Sequence, residues 1–155
     1  MGIEIERKFL VDHSTLPNLG DGMYISQGYI DTSSHTIVRA RVKGQKGYLT
    51  IKGENTGMSC LEYEYEIPAT EAREIISTLC NGKSIEKTRY EVEHAEHIWE
   101  IDFFHGANDG LIVAEVELSD EKEHVVIPDW ASKEVTGQAK YFNASLIKAP
   151  YIDWQ

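Results

Sequence analysis

The sequence has few cysteines and none of the spacings that bind zinc through thiolates. Its 155 residues include two cysteines, Cys60 and Cys80, which are far apart and form no C-x-x-C pair. Disulfide-stabilised secreted domains and zinc-thiolate modules are therefore excluded as default classes. We expect both thiols to be reduced and structural, which favours the cytoplasm.

Long hydrophobic runs are also missing. Nothing approaches the roughly 18 apolar residues that a membrane span needs, and the N-terminal residues do not resemble a signal peptide. Gly2 follows Met1, but position 6 is Glu6 rather than Ser or Thr, so the myristoylation pattern fails. We expect no membrane partner.

Positive charge is scarce overall. Lys and Arg number 15 against 26 Asp and Glu, which gives a formal net charge of -11. Nucleic acids and anionic membranes favour basic surfaces, so we expect neither as a partner. No G-x-x-x-x-G-K-[ST] segment occurs, so a P-loop is absent. Binding of an anion would need a locally basic pocket or a metal.

What the sequence has in abundance is alternation of polar and apolar residues, which is typical of β-strands. The length fits one domain covering residues 1–155. A helix is expected from Glu71 to about Cys80 with Thr70 as its N-cap, and helical character from about Gln138 in the segment 128–148. The predicted strands cover residues 1–11, 23–31, 36–43, 48–53, 61–67, 84–93, 97–104 and 111–118.

The charges on these strands segregate by sign. The ordinary interpretation of one such strand is a solvated face of an open sheet. However, like charges side by side cost energy, so rows of one sign suggest a ligand between them. We expect a closed barrel with a polar lumen, in which the apolar residues point outward under the helices. The basic rows are Arg39/Arg41/Lys43 and Lys87/Arg89, and the acidic rows are Glu62/Glu64/Glu66, Glu100/Asp102 and Glu115/Glu117.

The first strand carries both signs on one face. Glu4, Glu6 and Lys8 project together if the segment is extended. Two carboxylates two residues apart can share a hard cation, and a lysine one step further can hold an anion bound to that cation. The pattern predicts a metal-phosphate site.

Glu4-Ile5-Glu6-Arg7-Lys8 resembles the Glu-x-Glu-x-Lys signature that opens the CYTH family, the triphosphate tunnel metalloenzymes. Further segments are similar to short bacterial, inorganic triphosphatase-like members, in the family's order. They are Arg39-Ala40-Arg41, Lys52-Gly53, Glu62-Tyr63-Glu64, Glu86 to Tyr90, Glu100-Ile101-Asp102, Ala114 to Leu118 and Trp130 to Thr136. The resemblance implies an α+β fold, with a closed eight-stranded antiparallel β-barrel, a polar lumen and a few flanking helices.

The resemblance also implies roles for individual residues. The divalent cation would be held by Glu4, Glu6 and Glu117, with Glu115 and Asp102 nearby to orient waters or a second ion. Oxygen ligands favour Mg²⁺ or Mn²⁺. Glu62 and Glu64 would position the attacking water or hold basic neighbours, and Tyr29 would contact Lys8. The residues expected to grip phosphate oxygens are Lys8, Arg39, Arg41, Lys52, Lys87 and Arg89.

The expected function is divalent-metal-dependent hydrolysis of inorganic triphosphate to pyrophosphate and phosphate. The same resemblance permits a class IV adenylate cyclase or a thiamine or nucleoside triphosphatase. Two other classes stay open: a non-catalytic barrel that binds polyphosphate or nucleotides, and a barrel with an apolar interior for hydrophobic ligands. A closed ring leaves no strand edge, so a homodimer would form through helices or loops.

Overall fold

Antiparallel strands dominate the computed structural model, which describes residues 2–154. Two α-helices, α1 (Ala69–Leu79) and α2 (Asn143–Lys148), and several short 3-10 turns complete the described part of the chain. The strands are β1 Ile3–Val11, β2 Met23–Ile30, β3 Ile37–Lys43, β4 Lys46–Lys52, β5 Ser59–Ile67, β6 Ser84–His94, β7 His97–Phe104, β8 Ile112–Glu117 and β9 Ala131–Glu134.

Strand β1 closes the sheet into a ring. The strand order is β5-β4-β3-β2-β6-β7-β8-β1-β9, and β1 pairs in addition with β5. Glu6 of β1 lies opposite Glu117 of β8, whereas Glu4 lies opposite Cys60 of β5. The predicted closed eight-stranded antiparallel barrel is therefore confirmed, and β9 is an additional strand.

The ninth strand corrects the expectation that the barrel has no edge. β9 pairs with the C-terminal end of β1, where Phe9 lies opposite Glu134 and Val11 opposite Ala131. It has no regular alternation of polar and apolar residues, which is why the sequence pattern did not reveal it. Because β9 ends the strand order, the sheet keeps one short edge.

Apolar residues pack on the outside of the barrel and also fill one end of its lumen. The outer cluster includes Phe9, Trp99, Val116 and Trp130, all buried. The inner cluster forms because Ile85, Phe104 and Val113 share their strand faces with Lys87, Asp102 and Glu115, and the C-terminal Tyr141 and Leu146 pack against them. The expected purely outward placement of apolar residues is therefore wrong at this end, where the C-terminal segment closes the lumen.

Helix α1 covers the outer face of β2, β3 and β4. Small residues allow the close approach: a Cβ at Gly47 would lie 2.9 Å from the Ala72 side chain, and one at Gly28 would lie 2.8 Å from Cys80 Sγ. The helix begins at Ala69, so the prediction of Thr70 as N-cap is wrong. Pro68 sets the start instead, because its carbonyl oxygen accepts from the amides of Glu71 and Ala72.

Candidate active site

The charged strand rows meet in a lumen cavity of about 640 Å³. Only Asp102 of the predicted site residues is not among its lining side chains. The site residues that line the cavity are Glu4, Glu6, Lys8, Tyr29, Arg39, Arg41, Lys52, Glu62, Glu64, Lys87, Arg89, Glu115 and Glu117. The alternative of a barrel with an apolar interior is therefore wrong, because both signs of charge face inward.

Asp102 lies behind the lysine and arginine side chains that line one side of the cavity, here called the basic wall, and contacts Lys87 and Arg89. Arg89 donates to both Asp102 oxygens, at 2.7 and 2.9 Å, and Lys87 Nζ lies 2.7 Å from Oδ2. Burial alone would raise the pKa of Asp102, but Lys87 and Arg89 lower it to about 2. Burial lowers the pKa of Lys87 to about 7 in spite of Asp102. The placement favours a positioning role for Asp102 over the predicted role near the metal.

Arg39 and Arg41 form a second basic group. Arg39 donates to Thr50 Oγ1 at 3.1 Å and to Glu64 at 3.3 Å, and its buried Nε has no partner among the described residues. Arg41 Nε donates to Gln27 Oε1 at 2.8 Å. Burial, together with Arg39 and Arg89, lowers the pKa of Arg41 to about 10. An anion in the lumen would supply the acceptors and the negative charge that these guanidinium groups lack.

Two lysines connect the basic and acidic sides. Lys52 Nζ lies 2.9 Å from Glu4 and 3.7 Å from Glu62. Burial alone would lower the pKa of Lys52, but Glu4 and Glu6 raise it. Lys8 Nζ lies 3.3 Å from Glu115 and donates to the Tyr141 carbonyl oxygen at 3.3 Å.

The acidic side holds more negative charge than its neighbours neutralise. Burial, Glu115 and Glu4 raise the pKa of Glu6 well above its usual range. Burial raises the pKa of Glu117, and Glu4 and Glu64 raise it further. By contrast, Lys8 and Arg89 overcome the effect of burial and lower the pKa of Glu115.

These carboxylates fit a divalent cation. Burial, and then repulsion between the carboxylates, raises the pKa values of Glu6 and Glu117, and a bound cation would offset both effects. All the candidate ligand atoms are oxygens. Among residues 2–154, no group of three or more His, Cys, Asp or Glu residues is gathered tightly enough to bind a metal alone. Mg²⁺-type ions usually bind through one or two carboxylates and complete their shell with water and phosphate oxygens.

The structure adds residues that the sequence analysis missed. Gln27 and Thr50 are fully buried and hold Arg41 and Arg39. Their strand phase places both beside the basic row, so alternation alone could have found them. Asn143 contacts Lys87 and Gln27 from helix α2, and no sequence pattern indicated this.

The described contacts of Tyr29 differ from the predicted contact with Lys8. The Tyr29 hydroxyl accepts from Gln27 Nε2 at 2.6 Å, whereas the amine of Lys8 meets Glu115 and the Tyr141 carbonyl oxygen. Tyr29 therefore belongs to the group of residues around Arg41.

A groove of about 660 Å³ on the outside of the barrel does not fit the same ligand. Its lining includes Glu91, Glu93 and Asp129 but no lysine or arginine. A polyanion would meet three carboxylates and no lysine or arginine there, so the lumen is the better candidate for the active site. In the described residues, no helix has both the length and the apolar character that crossing a membrane requires.

Comparisons with known proteins point to one family. The CYTH domain model matches residues 2–151. The chain is 49% identical over 155 residues to an inorganic triphosphatase of Acetivibrio thermocellus, covering 100% of this chain and 99% of that protein. It is 36% identical over 149 residues to an inorganic triphosphatase of Nitrosomonas europaea, covering 92% of this chain and 95% of that protein.

Solved structures give the same result. A crystal structure of an inorganic triphosphatase matches with a TM-score of 0.65 and 33% identity, covering 93% of both chains. A putative adenylate cyclase from Bacillus halodurans shares the fold, with a TM-score of 0.60 and 19% identity over 78% of this chain and 84% of that one. The family model over nearly the whole chain, the two similar triphosphatases and the closed charged barrel agree, and the chain belongs to the CYTH family.

Proposed function

We propose that this protein hydrolyses inorganic triphosphate to pyrophosphate and phosphate with the help of Mg²⁺ or Mn²⁺. The observation that carries the proposal is the convergence of seven lysine and arginine side chains, including all six predicted to bind phosphate, on one lumen that also holds under-neutralised carboxylates. The two similar proteins named inorganic triphosphatase support the same substrate. A pure anion binder would gain nothing from Glu4, Glu6 and Glu117, which repel an anion unless a cation lies between.

Each side of the lumen has its part in the reaction. Lys8, Arg39, Arg41, Lys52, Lys87 and Arg89 would bind the phosphate oxygens and align the chain, since phosphoryl transfer depends mainly on positioning and charge stabilisation. Glu4, Glu6 and Glu117 would hold the cation. The bound cation supplies charge neutralisation at the phosphate oxygens.

Glu62 and Glu64 differ in what they can do for the attacking water. Glu64 accepts hydrogen bonds from Thr50 at 2.9 Å and from Arg39 at 3.3 Å, so it orients the Arg39 guanidinium group. Burial and Glu4 raise the pKa of Glu62, so its carboxylate is suited to accept a proton from the attacking water. We propose that the water oxygen attacks the terminal phosphorus, the proton passes to Glu62, and pyrophosphate leaves with the bridging oxygen.

The two buried, unpaired cysteines support the proposed cytoplasmic location. A homodimer remains a prediction.

Phosphate release from inorganic triphosphate, ATP and pyrophosphate tests the proposal, with each substrate assayed in Mg²⁺, in Mn²⁺ and in excess chelator. We expect release from triphosphate to exceed release from ATP and to stop in chelator. Preference for ATP would overturn the substrate, and a check for cyclic AMP would then test the cyclase alternative. The absence of release with either metal would overturn the hydrolase and leave a binding protein.

A further inference from the structure

A side chain from outside the strands reaches the basic wall of the lumen. Asn143, the first residue of α2, lines the cavity. Its Oδ1 accepts a hydrogen bond from Lys87 Nζ at 2.8 Å and another from Gln27 Nε2 at 3.2 Å. One amide oxygen therefore meets two donors that come from different strands.

Both donors lie where water cannot easily replace this acceptor. Lys87 is 1% exposed and Gln27 is 0% exposed. Lys87 also contacts Asp102. Gln27 in turn contacts Arg41, because Gln27 Oε1 accepts a hydrogen bond from Arg41 Nε at 2.8 Å. Asn143 is thus linked to two of the cations that would bind phosphate.

The position of Asn143 is set by apolar packing rather than by the lumen itself. Leu146, on the same helix, is fully buried in the inner apolar cluster with Ile85 and Phe104. The residues just before α2 meet a third cation: Lys8 Nζ donates to the Tyr141 carbonyl oxygen and lies 5.5 Å from the Phe142 ring centroid. The C-terminal segment is therefore fixed at the end of the lumen that it closes.

We propose that Asn143 is a positioning residue for triphosphate hydrolysis. It holds Lys87 directly, and Arg41 through Gln27, so that the phosphate group at the apolar end of the lumen meets donors that are already in place. This role rests on the proposed function. Hydrogen-bond donors that are already in place do not have to reorient when charge develops on the phosphate oxygens, so they stabilise the transition state more effectively.

Two substitutions test the role. Asn143→Ala removes the acceptor, and we expect kcat/KM for inorganic triphosphate to fall roughly 10- to 100-fold, as for a lost hydrogen bond to a charged group. Asn143→Asp keeps the shape and both accepted bonds but adds a charge that competes with phosphate for Lys87. We expect it to raise KM at an almost unchanged melting temperature, whereas a purely structural role predicts normal KM.

Asn108→Ala is the matched control. Asn108 Oδ1 accepts from the Tyr151 amide at 2.8 Å, so it also anchors the C-terminal segment, but it does not line the lumen cavity. We expect a lower melting temperature with kcat and KM within about twofold of wild type, as for a structural anchor.

The outcomes separate this inference from the function on which it rests. Wild-type protein without triphosphatase activity overturns the proposed function. An active wild type overturns only the positioning role if Asn143→Ala keeps normal kcat/KM, if Asn143→Asp keeps normal KM, or if Asn108→Ala loses as much kcat/KM as Asn143→Ala.

Discussion

The Glu6 carboxylate is half-buried beside Glu4 and Glu115, and this environment raises its pKa. A group whose pKa is raised on folding favours the folded state below its unfolded pKa, and this contribution is lost as the pH rises through its folded pKa. Ionised Glu6 therefore destabilises the metal-free protein at neutral pH. Functional sites commonly carry such a cost.

Glu6→Gln tests this conflict between stability and function. We expect the substitution to raise the metal-free stability at pH 7 by about 0.5–2 kcal/mol, a gain that shrinks towards acid pH, because it removes a repelled charge. Turnover of triphosphate should fall by roughly 10²–10³, as for loss of one electrostatic group in an active site. Thermal unfolding in chelator and phosphate release measure the two effects.

Glu66→Gln provides the same chemical change at an exposed position of β5, 4.0 Å from Lys46. It should leave stability within about 0.5 kcal/mol of wild type and activity normal. Lower stability of Glu6→Gln at neutral pH, or full activity, would contradict the account of Glu6.

Asp102 gives the opposite dependence on pH. Its pKa is lowered to about 2, so its contribution to stability is present above its unfolded pKa of roughly 4 and is lost as the pH falls through about 2. We expect Asp102→Asn to cost about 3–5 kcal/mol at neutral pH, because Lys87 and Arg89 would stay buried after losing the carboxylate nearest to them. Urea unfolding of both proteins should show the difference narrowing between about pH 4 and pH 2.

The exposed Asp21→Asn is the control for Asp102 and should change stability by less than about 0.5 kcal/mol at either pH. A constant difference between wild type and Asp102→Asn across the acid range would show that Asp102 does not titrate as proposed.

At the scale of elements, the β6–β7 hairpin carries strain outside the active site. Its two-residue turn places Ala95 at φ 48° and Glu96 at φ 72°, in the left-handed region. Asn and Gly suit such a turn better. We expect Ala95→Asn with Glu96→Gly to stabilise the protein by about 1 kcal/mol, since the left-handed conformation costs a non-glycine residue roughly 1–2 kcal/mol. Chemical denaturation and triphosphate turnover measure the result.

The β3–β4 hairpin provides a control of opposite sign. Gly44 has φ 62°, and an added Cβ would lie 3.1 Å from Met23 Sδ. Gly44→Ala should destabilise the protein by about 1 kcal/mol or more. If the double substitution at residues 95 and 96 also destabilises, the assignment of strain to that turn is wrong.

Element by element, sequence reasoning worked where strand alternation governs the side chains. Arg39 and Arg89 were predicted to face the lumen, and they do so because residues opposite each other on neighbouring strands share a face. Alternation says nothing about β9, which depends on pairing with β1, nor about Asn143, which reaches the lumen only because α2 folds back over one end. Contacts of this kind depend on ring closure and the C-terminal packing.

Binding of Mg²⁺ and triphosphate in the lumen should stabilise the whole folded protein. Ligand at about 100 times its Kd stabilises a folded protein by roughly 2.7 kcal/mol. For a chain of this size, we expect Mg²⁺ with triphosphate to raise the Tm by roughly 5–10 °C. The net charge of -11 argues against nonspecific anion binding as the cause.

Differential scanning fluorimetry at matched ionic strength measures this shift with Mg²⁺ alone, triphosphate alone and both together. The combined addition should exceed the sum of the separate shifts in wild type and lose that excess in Glu6→Gln, because the cation links carboxylate and phosphate. An equal excess in Glu6→Gln would mean that Glu6 does not hold the cation.

The placement of charge also explains how the overall architecture followed from the sequence. Rows of one sign on several strands predicted a closed, polar lumen. The family resemblance implied a place near the metal for Asp102, whereas barrel closure buries it against Lys87 and Arg89. Which carboxylates pair with lysine and arginine depends on cross-barrel distances that no single strand encodes.

A crystal structure with Mn²⁺ and triphosphate, measured at a wavelength where manganese scatters anomalously, would show where the metal and the phosphates bind. We expect an anomalous peak in the lumen next to the Glu4, Glu6 and Glu117 carboxylates, with the phosphates among Lys8, Arg39, Arg41, Lys52, Lys87 and Arg89. A manganese peak on Asp102, or outside the barrel with no triphosphate in the lumen, would contradict this placement.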